Sequence, residues 1–194
     1  ATEKPEFSKP IPAGVTTQTV IDNYLNAIGG KEKAMSVKST LTKATITGLA
    51  PFPLNAELKG MVPNKESMEL SAEGMGVIMK QKWNGETGYA EQQGQKREMS
   101  AEEIAEKKDE NSLFPELYYD ASNLSLESLT TIEGEDVYKI KVNKGEKASY
   151  RFYNVKTGLL TRAESTNKTA GQEITSIVDY GSYTAVEGMQ FPYS

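Results

Sequence analysis

The sequence predicts an α+β fold in which about ten short antiparallel strands follow one another and two to three helices stand outside the strand runs. Three observations lead there. After Lys38 the hydrophobic period changes from 3.6 to 2. Turn residues then return at roughly 8–12-residue intervals, as in a sandwich, a barrel or a strongly curved sheet. The helical stretches fall at the start and in the middle of the chain, instead of alternating with strands as βαβ units would.

The 194 residues open with a Pro-rich arm over 1–15, where Pro10 and Pro12 hold the backbone extended, as in a linker or an arm lying along a sheet edge. Thr16 or Thr17 caps the first helix. Its apolar stripe is Val20, Ile21, Tyr24, Leu25 and Ile28, and Gly29-Gly30 ends it. Lys31 to Val37 adds a short helical turn. From there Leu54 to Val62 alternates, Pro63-Asn64 turns, Met68 to Ala72 alternates, and Glu73-Gly74 turns again. Met75 to Trp83 reaches Asn84-Gly85, the strongest two-residue hairpin signal in the chain. Gly88 to Gln92 returns. Ser100 and Glu103 then form a capping box for a helix over Ala101 to Glu110, with Glu103 and Lys107 spaced as an i,i+4 pair. A second apolar patch, Leu113 to Tyr119, precedes the strands 124–132, 137–142, 148–153, 159–165, 173–180 and 189–193, joined by polar turns at 133–136, 143–146, 156–158, 170–171 and 187–188. Residues 16–194 read as one domain. Ala1 without an initiator Met and an end inside a strand read as trimmed termini.

Composition excludes whole classes of chemistry. There is no His and no Cys, which removes disulfides, thiolate nucleophiles, iron–sulfur and His–zinc sites and every Ser–His pair. Lys and Arg number 22 against 27 Asp and Glu, a net charge of −5, so no basic field draws nucleic acid. No segment approaches the roughly 20 apolar residues of a membrane-spanning helix. No cofactor and no catalytic residue is expected.

Several motifs invite a functional reading. Four of the seven Met, namely Met61, Met68, Met75 and Met79, fall on consecutive strands. Flexible thioethers suit an irregular greasy site, and equally fill gaps in an ordinary core. Ser165-Thr166-Asn167-Lys168 matches S-x-x-K but ends a strand instead of opening a helix. The carboxylates Glu102, Glu103, Glu106, Asp109 and Glu110 lack calcium-loop spacing and read as a solvated helix face. Trp83 reads as a sheet-packing residue, and Tyr118-Tyr119 and Phe152-Tyr153 as core.

Ordered blocks carry a resemblance: Tyr24…Ala27-Ile28-Gly29-Gly30, Trp83-Asn84-Gly85, Leu113-Phe114-Pro115-Glu116-Leu117, Phe152-Tyr153-Asn154…Thr157-Gly158-Leu159, and Asp179-Tyr180…Glu187-Gly188-Met189…Phe191-Pro192. Together they resemble the outer-membrane lipoprotein-sorting (LolA/LolB-like) superfamily. That resemblance implies an unclosed β-barrel of about eleven strands wrapped on helices, a periplasmic or envelope location, and an apolar cavity for an acyl chain or lipid. The early-strand Arg of the dedicated carriers has no counterpart, since no Arg precedes Arg97. The lead-in Lys9 to Val15 is also similar to sorting-like domains that follow insulinase-type zinc peptidases. On that alternative the chain is an accessory domain whose partners are the peptidase domains of a parent protein. The expected cavity lining is Leu58, Met68, Leu70, Ile78, Ile140 and Phe152.

Overall fold

In a computed structural model, residues 8–108, 110, 113–144, 147–169 and 172–194 are described; for 144, 147, 167–169 and 172–174 only the backbone is. The turns at Gly145-Glu146 and Ala170-Gly171, Asp109, and residues 1–7 of the arm lie outside the described residues. Two compact units divide the chain, one of residues up to Met35 with Tyr119–Ser194, the other Ser36–Tyr118.

The first unit begins with α1 (Thr17–Ala27) and α2 (Lys31–Ser36). Thr16 caps α1, its Oγ1 accepting from the Thr19 N–H at 3.2 Å. Gly29 and Gly30, at φ +127° and +101°, end it. Five later strands, β7 (Leu124–Ile132), β8 (Glu135–Lys144), β9 (Lys147–Asn154), β10 (Leu160–Thr169) and β11 (Gln172–Asp179), pair antiparallel in the order β11-β10-β9-β8-β7. β12 (Thr184–Val186) and β13 (Met189–Phe191) form a separate hairpin. The predicted stripe of α1 is buried, together with Val137, Ile140, Phe152, Tyr153 and Leu160 from the sheet. The rings of Tyr24 and Tyr153 meet 5.3 Å apart at a tilt of 58°. At the free edge of β7, Lys9 donates its N–H to the Leu129 carbonyl at 2.6 Å, so the described part of the arm follows a sheet edge.

The second unit is a six-stranded meander: β1 (Ser39–Ile46), β2 (Leu54–Met61), β3 (Lys65–Ala72), β4 (Gly76–Trp83), β5 (Gly88–Gln92) and β6 (Gln95–Glu98), paired in chain order. α3 (Ala101–Lys108) follows, then one 3-10 turn at Pro115–Leu117; a second, at Ala121–Asn123, leads into β7.

The expected single curved sheet of ten to eleven strands is corrected on two counts. The strands number thirteen among the described residues, and they form sheets of six, five and two strands, none closed into a barrel. The break falls at Met99–Asn123, where a capped helix and Pro115 take the backbone out of strand geometry. The α+β class stands, with three α-helices among the described residues.

Asn84-Gly85 is also not a two-residue hairpin. The link runs over Asn84–Thr87, because Asn84 Oδ1 accepts from the backbone N–H groups of Glu86 and Thr87 at 2.8 and 2.9 Å. Asn154 does the same for Lys156 and Thr157, at 2.9 Å each, so one N-x-x-T-G turn occurs once in each unit. The two-residue turns with positive φ at both positions fall instead at Gln93-Gly94, Glu133-Gly134 and Glu187-Gly188.

Candidate functional site

Strand alternation puts two cross-strand rows on one face of the six-stranded sheet. One is Thr42, Leu58, Met68 and Gln81; the other is Thr40, Gly60, Glu66 and Trp83. Gly60 contributes no side chain, so the second row lies open between Thr40 and Glu66. These eight residues, with Lys59, Ser67 and Lys107, line a recess of about 310 Å³. Leu58 is 40% exposed in it, whereas Trp83 is only 4% exposed.

Lys107 comes from α3, and its Nζ lies 2.7 Å from Glu66 Oε2. α3 buries none of its residues, so polar contacts hold it. Asn64 Nδ2 donates to the Lys108 carbonyl at 3.1 Å. At the other end Ser100 and Glu103 form the predicted capping box, the Ser100 N–H donating to Glu103 Oε2 at 2.7 Å. The i,i+4 pair expected from the sequence is not made. Glu103 instead takes both terminal nitrogens of Arg97, each at 2.8 Å, while Lys107 turns to Glu66. A planar guanidinium offers two aligned donors where a Lys offers a point charge, which explains the choice. The Arg97 guanidinium and the Ser100 N–H hold the Glu103 carboxyl at about 2.

Trp83 faces Gly88 across the β4–β5 ladder. A Cβ at Gly88 would lie 2.6 Å from Met99 Sδ and 2.5 Å from the Lys82 carbonyl, so only glycine lets buried Met99 pack there. Among the described residues the indole Nε1 of Trp83 is buried with no hydrogen-bond acceptor.

The residues expected to line a cavity separate. Leu58 and Met68 stand directly opposite one another, and both line the recess. Leu70 is two positions further along the same face, 8% exposed and part of the core. Ile78 sits where the β3–β4 register shifts, between the pairs Leu70–Met79 and Ser71–Val77. Ile140 and Phe152 are fully buried in the core of the other unit. The Met cluster splits too, with Met61 and Met75 largely exposed. Thr40, Thr42, Gly60, Glu66, Gln81 and Lys107 were not anticipated. The alternation of β2 and β3 carried a signal for Gly60 and Glu66, which are in phase with Leu58 and Met68. Lys107 had none, being 41 residues from Glu66.

A second groove of about 390 Å³ runs past Lys43, Asn55, Glu57, Glu69 and Val77. Ion pairs border it: Lys59 lies 2.6 Å from Glu57, whose carboxyl it holds below the usual range, and Lys43 lies 3.7 Å away. Among the described residues no group of three or more metal-ligating side chains gathers, and Ser165 and Thr166 are strand residues of β10.

No protein-family model and no curated protein matches this sequence. A solved structure similar to the chain is that of a LolA superfamily protein from Nitrosomonas europaea. The alignment covers 92% of this chain and 83% of that one, with a TM-score of 0.51 and 12% identity. The resemblance to peptidase-associated domains gains no support from these comparisons. At such low identity the likeness is one of architecture alone: the chain has a LolA-like fold.

Proposed function

We propose that the chain is a non-catalytic binding domain of the periplasm or cell envelope, and that it holds the hydrocarbon part of a lipid or lipoprotein acyl chain in the recess over β1–β4. The observation that carries this reading is the pairing of Leu58 and Met68 across that recess, with Leu58 left 40% exposed. Apolar surface held open in a concavity gains free energy when a hydrocarbon covers it. The volume of about 310 Å³ falls at the small end of ligand sites, which run from roughly 300 to 1,000 Å³. A LolA-like fold supports a lipid-type ligand and an envelope location in general terms. The absence of His and Cys leaves no ordinary nucleophile–base pair to act on such a ligand.

The test is native mass spectrometry of freshly purified protein for a co-purified lipid, with titration of a fluorescent acyl ester. Uptake by the wild type, and loss of uptake in the Leu58→Asp, Met68→Asp double variant at unchanged far-UV circular dichroism, is the expected result. A chain that takes up no acyl ligand, or a double variant that binds as well as wild type, overturns it.

A further inference from the structure

The geometry points to Trp83 as a specificity-determining donor: its indole N–H would bind an uncharged acceptor, an ester or amide carbonyl, at the polar end of the recess. This rests on the proposed function and names the part of the ligand that the apolar lining leaves undefined.

An indole N–H is a donor and nothing else, and a buried donor without an acceptor is costly. Trp83 is 4% exposed and lines the recess, and its Nε1 is buried with no acceptor among the described residues. The rest of the lining divides in the same sense. Leu58, Met68 and the indole ring offer apolar surface, while Thr40, Thr42 and Gln81 offer hydroxyl and amide groups. A plain alkane would cover those polar groups and satisfy none of them. A ligand with a tail and a carbonyl satisfies both halves of the site.

Charge decides between a neutral head and an anionic one. Both cations of the lining are already paired, Lys107 with Glu66 at 2.7 Å and Lys59 with Glu57 at 2.6 Å, and the Glu66 carboxylate itself lines the recess. A free carboxylate would be repelled by that negative charge, whereas a neutral carbonyl oxygen carries no net charge and can accept from the indole N–H. The Nε1 atom is itself buried, so an oxygen reaches it only if the lining moves aside, and Lys107 belongs to a helix, α3, that buries none of its residues.

The experiment uses the full chain and three competitors of matched length, methyl decanoate, undecane and decanoate, displacing the uncharged dye Nile red. Trp83 is the sole tryptophan, so its emission reports on the same site. We expect methyl decanoate to displace the dye at about tenfold lower concentration than undecane, with decanoate weaker than the ester. A featureless apolar pocket would favour the alkane, so the order itself is diagnostic. Trp83→Phe should bring the ester down to the level of the alkane and leave the alkane's midpoint in place. Equal binding of ester and alkane by wild type, tightest binding of decanoate, or an equal loss for both ligands in Trp83→Phe overturns the inference. If that variant does not fold, the wild-type ratio decides alone. Failure of all three to displace the dye is a different result, and it removes the acyl-binding function itself.

Discussion

Leu58 and Leu70 lie on one face of adjacent strands, yet the structure assigns them opposite roles, and truncating each to Ala separates those roles. Leu70 is 8% exposed, so Leu70→Ala removes a core side chain and should cost about 2.7–5 kcal/mol of stability. Leu58 is 40% exposed, and its truncation only widens an existing recess, so its stability cost should stay near 1 kcal/mol. A bound chain that covers the remaining 40% of Leu58 gains that fraction of the 1.5–3 kcal/mol for burying a leucine, about 0.6–1.2 kcal/mol. Leu58→Ala should therefore weaken acyl-ester binding about three- to eightfold. Urea unfolding followed by circular dichroism gives the stabilities, and dye displacement gives the dissociation constants. An acyl ligand that binds Leu58→Ala as tightly as wild type would refute the placement of the ligand over β2 and β3. A large stability loss in that variant would refute the claim that Leu58 is held open.

Two further expectations concern the frame around the site. Gly29 and Gly30 both have positive φ, but a Cβ at Gly29 would lie 2.8 Å from the Gly188 carbonyl, whereas one at Gly30 meets nothing within 4 Å. Gly30→Ala should cost about 1–2 kcal/mol in backbone strain, and Gly29→Ala about 1–3 kcal/mol more from overpacking; equal losses on urea unfolding would show that α1 does not end against the β12–β13 hairpin. The second follows from Glu103, whose carboxyl is lowered from 4.5 to about 2, mainly by Arg97 and the Ser100 N–H. A depressed folded-state value stabilises above the unfolded one and is lost as pH falls through the folded one. The stability gap between wild type and Glu103→Gln should thus be constant above pH 4.5 and close between 4.5 and about 2; a gap that widens on acidification contradicts the pairing.

Local signals in the chain read well where one residue type serves one backbone need. Thr16, the stripe Val20 to Ile28 and Gly29-Gly30 delimit α1, and Ser100 with Glu103 starts α3. Strand periodicity located most of the meander, but that Leu58 and Met68 stand opposite one another is set by the strand register. It failed where a side chain had two possible uses. Asn84 precedes Gly85 in the manner of a tight hairpin, yet its carboxamide caps the N–H groups of Glu86 and Thr87 and lengthens the loop. The tighter turn at Gln93-Gly94 carries a residue with little intrinsic liking for positive φ, so β6 went unforeseen.

By itself, then, the order of residues determined the α+β class, the helix ends, most strand positions and the lack of His–Cys chemistry, because each depends on neighbours within a few positions. Tertiary structure decided how the strands divide into sheets and which apolar residues become core. Leu70 and Phe152 look like Leu58 in a periodicity plot, but burial depends on what packs above them. It also decided the partners of charged groups, since Arg97 outcompetes Lys107 for Glu103 through geometry that spacing cannot express. The indole of Trp83 belongs to the same category: whether a buried donor finds an acceptor is settled only in the folded chain.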